Sequence, residues 1–147
     1  MEDRHPRIKR LQHPRFGAEF RELLASDKVA DRELAGILVD ELGALREAKE
    51  NRRLHPNEDR LNGDDLDGIG YLRLYIGGYS VRIYFAVIRG NLWMLALDPN
   101  KRKTNLTDGM KTRLASRLRE AQELASKHDG SDQRERGGRE EVQNRGK

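Results

Sequence analysis

The chain contains no cysteine. That excludes a disulfide framework, a thiolate zinc site and a catalytic thiol. Aromatic residues are few, with one Trp, four Tyr and three Phe among 147 residues, and there are only four prolines. No apolar run approaches the roughly 18 residues of a membrane-spanning helix. The N-terminal stretch, Met1-Glu-Asp-Arg-His-Pro-Arg7, lacks the apolar segment of a secretory signal. These absences leave a small soluble protein, expected in the cytoplasm. What the chain has in excess is charge. Asp, Glu, Lys and Arg make up 37% of it, against about 25% in an average soluble chain. The net charge is nonetheless only +4, so the placement of the charges carries more information than their sum.

A chain of this length allows one domain and a tail. From Ser131 to Lys147 the one sizeable apolar residue is Val142. Such a segment cannot bury enough surface to offset its ordering entropy, so it is expected to be a disordered charged tail behind one domain over 1–130. Within that domain Phe16, Phe20, Leu23 and Leu24 recur at helical spacing, with Pro14 suited to the first turn. A longer helix is expected from about Asp31 to Asn51, with Leu34, Ile37, Leu38, Leu42 and Leu45 as its buried stripe. The short link between them predicts a helical hairpin. After a polar loop, His55 to Gly68, the period changes to two. Tyr71–Ile76 and Tyr79–Ile88 flank Gly77-Gly78, a strong hairpin signal. A third strand, Leu92–Leu97, ends before Pro99. A last helix starts near Thr107 or Asp108 with Met110, Leu114, Leu118, Ala121 and Ala125 on one side. Arg7 to Gln12 shows weak alternation and is at most a short strand. The order is (β)ααβββα, an α+β fold with the helical hairpin packed on a small antiparallel sheet and a C-terminal helix.

The two-residue Gly77-Gly78 turn fixes the register of the hairpin. Leu72, Leu74, Ile76, Tyr79, Val81, Ile83, Phe85 and Val87 fall on one face, the expected core. A three-residue turn at Arg89-Gly90-Asn91 would add Trp93, Leu95 and Leu97 to that face. The opposite face holds Tyr71, Arg73, Tyr75, Ser80, Arg82 and Tyr84. It sets Arg73 directly opposite Arg82, a like-charge pair that destabilises a sheet. Such violations of a local rule concentrate at functional sites. Guanidinium forks bind phosphates bidentately, and tyrosine rings can stack on bases. The bland alternative is a solvated sheet face with the arginines neutralised by Asp64, Asp65 and Asp67.

From Asn100 to Glu120 there are seven basic residues, Lys101, Arg102, Lys103, Lys111, Arg113, Arg117 and Arg119, against Asp108 and Glu120. This segment is +5 and the rest of the chain −1. Lys101-Arg-Lys-Thr104 follows a strand end and precedes a helix N-terminus, a plausible polyanion site. Other motifs carry less. Asp64-Asp-Leu-Asp67-Gly68 lacks the ligand alternation and terminal Glu of a calcium loop. His5, His13, His55 and His128 show no ligand spacing, so no metal site is expected, and capping or solvent-exposed roles fit them. Gly68-Ile-Gly70 and Gly77-Gly78 lack the strand–loop–helix setting of a phosphate loop.

Taken in order, Leu61-Asn-Gly63, Tyr71-Leu-Arg73-Leu, Tyr79-Ser-Val-Arg82-Ile-Tyr84, Trp93-Met-Leu-Ala-Leu97 and Arg102-Lys103-Thr104 with a closing helix resemble the RelE/ParE toxin superfamily. The most similar group is the HigB branch, which includes phage-borne proteins. The resemblance spans about residues 16–125. It implies a small antiparallel sheet on a helical hairpin. It also implies a bacterial toxin that cleaves mRNA in the ribosomal A site and is neutralised by a cognate antitoxin, typically a helix-turn-helix protein. No cofactor or metal is implied: the RNA 2′-hydroxyl attacks the neighbouring phosphate while basic side chains stabilise the developing charge. By motif position the catalytic residues would be Arg73, Arg82 and Lys103, or Lys101 in its place. Arg102, Lys111 and Arg113 would hold RNA, and Tyr75 or Tyr84 would stack a base. This chain has Tyr71 where the family has Glu before Leu-Arg, and Asn100 where it has an aromatic. ParE-type members poison DNA gyrase without cleaving RNA, and other relatives would only bind RNA or a partner, so the resemblance leaves three functional readings open.

Overall fold

In the computed structural model residues 8–99 and 106–138 are described, with backbone alone at 64 and 128–138. The elements are β1 (Arg10–Gln12), α1 (Pro14–Leu24), α2 (Val29–Glu50), β2 (Glu58–Arg60), a short 3-10 turn (Asp64–Leu66), β3 (Ile69–Ile76), β4 (Tyr79–Ile88), β5 (Asn91–Asp98) and α3 (Asp108–Gly138). The first helix starts where proline allows it. His13 is the N-cap, its Nδ1 accepting from the Arg15 amide at 3.0 Å, and Pro14 begins the first turn. The fold is mixed α/β, with five strands in the order β1-β5-β4-β3-β2. The antiparallel sheet read from the sequence accounts for β3 to β5; β2, inside the stretch expected to be a polar loop, adds an antiparallel edge on β3, and β1 adds a parallel edge on β5. Three residues are too short for a hydrophobic alternation to register, so β1 is held by its backbone. Leu92 N donates to Lys9 O at 2.9 Å, and His13 N to Met94 O at 2.8 Å.

The sheet is covered on both sides. Phe16, Leu23, Leu34, Leu38, Leu42 and Leu45 of the helical hairpin pack on Leu72, Leu74, Val81, Ile83, Phe85 and Leu97. On the other face Leu114, Leu118, Ala121 and Ala125 of α3 pack on Tyr71, Tyr84, Ala86, Trp93 and Leu95. The second core corrects the expected register of the last hairpin. Its turn has two residues, Arg89 and Gly90, both at positive φ (53° and 80°). Such a turn matches the twist of the flanking strands, but arginine rarely adopts it. Trp93 therefore pairs with Ala86, on the α3 face. An irregularity between Tyr84 and Phe85 then leaves Leu95 as an extra residue, so Ala96 faces Tyr84 and Leu97 faces Ile83. Leu97 returns to the core where it was expected, while Trp93 and Leu95 belong to the other one.

The backbone freed by this bulge is held by an ion pair. Arg117 of α3 donates to Leu95 O at 2.9 Å and to both oxygens of Glu19 at 3.1 and 2.8 Å. Glu19 of α1 in turn accepts from Leu97 N at 3.0 Å. One pair thus joins the helices of opposite faces at β5. α3 itself runs to Gly138, into the stretch read as a disordered tail; residues 139–147 lie outside the described part.

Candidate functional site

Across β3, β4 and β5 one row reads Arg73, Arg82, Asp98, each in register with the next. The adjacent row reads Tyr71, Tyr84, Ala96. The side chains of α3 pack on the second row and the strand residues beyond it. Arg73 and Tyr75 are exposed, Tyr75 to 75%. The face read from alternation is real, but only one end of it is open.

Arg82 lies at the boundary. It is buried to 7% exposure, and its Nε has no hydrogen-bond partner. Its guanidinium carbon sits 4.9 Å from the centre of the Tyr71 ring, within the range of a cation–π contact. Tyr71 is buried to 8% and donates from its hydroxyl to Asp59 Oδ2 at 3.3 Å. Asp59 belongs to the edge strand β2 and is the register partner of Tyr71. The Tyr84 ring lies 5.8 Å from that of Tyr71, tilted by 41°. Tyr84 is fully buried and its hydroxyl has no partner. Burial pushes its phenol up to about 12; the charge of Asp98 adds to this and that of Arg82 opposes it. Tyr84 is therefore a neutral wall of the site, with no ring face free for a base.

The structure brings Arg73, Arg82 and Tyr75 together on one sheet face. Lys101, Arg102 and Lys103 lie outside the described residues, in the segment that follows Asp98. Lys111 and Arg113 are exposed on the first turns of α3. Lys111 lines a cleft of about 350 Å³ with Arg119, Thr112, Asn62 and Asp65. Arg117, one of the seven cations of the basic segment, is consumed by Glu19 and Leu95 O. The acid Glu120 is likewise taken up, by buried His13 at 2.6 Å. His55 plays a similar part, its Nδ1 accepting from Asn57 N and its Nε2 lying 2.9 Å from Glu41. Sequence reasoning missed Asp59 as the partner of Tyr71 and Asp98 as the neighbour of Arg82. The second is fixed by the β5 bulge, for which alternation gives no signal.

Among the described residues no group of His, Cys, Asp or Glu could hold a metal ion, and no helix is long and apolar enough to cross a membrane. Comparison with protein-family models, curated proteins and solved structures finds no match for this chain. Function has to follow from the site and its chemistry.

Proposed function

We propose that this chain is the toxin of a type II toxin–antitoxin pair, an endoribonuclease that cleaves mRNA on the ribosome without a metal and so inhibits translation. One observation carries the reading. Arg82, buried and with an unpartnered Nε, directly faces the exposed Arg73. Adjacent like charges on a sheet are costly, and an anion between them removes the cost. A phosphodiester is suited to two guanidinium forks. The RNA 2′-hydroxyl gives up its proton to water as it attacks the adjacent phosphorus, the bond to the 5′-oxygen breaks, and negative charge grows on the non-bridging oxygens. Arg73 and Arg82 stabilise that charge from fixed positions. Lys103 or Lys101 supplies a proton to the departing 5′-oxygen. Tyr75 stacks an unpaired base, and Arg102, Lys111 and Arg113 hold the strand by its phosphates.

The helical hairpin on one face of β2 to β5 supports the RelE-like arrangement that the resemblance implies. In that setting the partners are the ribosome, mRNA and a cognate antitoxin, a small helix-turn-helix protein encoded beside the toxin. The test is induced expression in bacteria with mapping of mRNA 5′ ends. New ends within translated codons are the expected result, together with growth arrest. Arg82→Ala and Lys103→Ala should relieve the arrest, since removing one transition-state donor typically costs about 100–1000-fold in rate. Arrest with DNA-damage signalling and no new ends would replace this reading with gyrase poisoning. Full toxicity of both variants would remove the assigned site.

A further inference from the structure

Tyr71 stands where the resembling family carries an acid, and its surroundings give it a use of its own. Three contacts converge on it. Its ring face carries the Arg82 guanidinium at 4.9 Å. Its hydroxyl is tied to Asp59 of the edge strand at 3.3 Å. Its other neighbour is the fully buried Tyr84 ring at 5.8 Å. A buried ring with its polar end anchored has little rotational freedom. A cation resting on it is held in turn, and the hydrogen bond to a carboxylate enriches the ring that attracts the cation.

The alternative rest position for Arg82 is set by charge. Asp98 lies in the same row on β5 and Arg73 on β3. Without a support, the repulsion of Arg73 would drive the guanidinium from the place where a phosphate is to be bound. From this geometry we infer that Tyr71, anchored by Asp59, is a positioning residue that holds Arg82 against the repulsion of Arg73. The inference rests on the endoribonuclease reading for its kinetic consequence, but the geometry it asserts can be measured without any substrate.

The experiment has two arms. In the first, the Arg side-chain NMR signals of the intact protein are assigned. The Arg82 Nε proton should be shifted by the Tyr71 ring current. The shift should persist in Tyr71→Phe and vanish in Tyr71→Leu. An unshifted Arg82 signal in the native protein overturns the inference. In the second arm, cleavage of a translated mRNA is followed in a purified translation system with native protein, Tyr71→Phe, Tyr71→Leu, Arg82→Ala and the double variant Tyr71→Leu/Arg82→Ala. Tyr71→Leu should lower kcat about 10-fold with little change in KM, and Tyr71→Phe, which keeps the ring but loses the tie to Asp59, should fall between Tyr71→Leu and the native protein. In the Arg82→Ala background the further loss from Tyr71→Leu should disappear, because the ring acts through that guanidinium. An equal loss in both backgrounds overturns the positioning role. If the native protein cleaves nothing, the endoribonuclease reading fails and the NMR arm alone decides the positioning.

Discussion

Tyr84 shows how far one side chain can be read from a strand pattern. Alternation places it correctly beside Tyr71 and Arg82. The expectation that its ring would stack a base fails because α3 closes over that end of the face. Its hydroxyl is buried without a partner, a condition that costs about 1–3 kcal/mol. Tyr84→Phe should therefore leave stability unchanged or raise it by about 1 kcal/mol, read from urea unfolding. The phenol also makes stability depend on pH. Its folded value, about 12, lies above its ordinary value of 10.0. The fold favours the neutral form, so this contribution is whole below pH 10 and is lost as pH rises towards 12. Native protein should lose stability over that window more steeply than Tyr84→Phe does. Tyr75 illustrates the opposite case. The same alternation places it on the same face, and it remains open to solvent at 75% exposure.

At the level of elements, helices and strands were legible wherever their hydrophobic period was long. α1, α2, β3 and β4 all follow from spacing, and the Gly77-Gly78 turn fixes the Arg73–Arg82 pairing that the structure contains. β5 was read only in part. Its turn asks an arginine to adopt positive φ, and its bulge is stabilised by residues far away in sequence. Glu19 and Arg117 supply the hydrogen bonds that the ladder cannot. Neither reveals this locally: each reads as one more surface charge on a helix. Arg117 is buried and Glu19 partly buried, and removing one partner leaves the other without its counter-charge. Arg117→Met should cost about 3 kcal/mol, measured by denaturant unfolding. The same substitution made with Glu19→Gln should cost less than the sum of the two.

For the molecule as a whole, the sequence pointed to one core and the structure has two. The apolar stripe of α3 already required a surface to pack on, and only the supposed solvated face was left for it. Polar residues at Arg73, Tyr75, Ser80 and Arg82 concealed that the other half of the face is apolar. The basic segment was legible as a block of charge, yet its members serve different ends. Arg117 is structural, Lys111 and Arg119 line a cleft beside the 3-10 turn, and the cations before α3 follow the arginine row in sequence. Charge counted along a chain does not distinguish a cation spent on packing from one left for a ligand. The arginine row thus lies at the open end of the sheet face that α3 partly covers.

Leu95 gives β5 one residue more than its partner strand needs. In terms of insertions and deletions, the strand holds a spare residue. Deleting Leu95 would let Met94 and Ala96 follow one another in a regular ladder, with Leu97 still opposite Ile83 and Asp98 still opposite Arg82. The variant should fold with its arginine row intact, less stable by about 3 kcal/mol for the lost leucine, as chemical unfolding and Arg82 NMR signals would report. One residue added after Ala96 has no such slack. It would turn Leu97 towards α3 and drive Asp98 into the core beneath the helical hairpin, so chains related to this one should tolerate loss of a residue here and reject a gain.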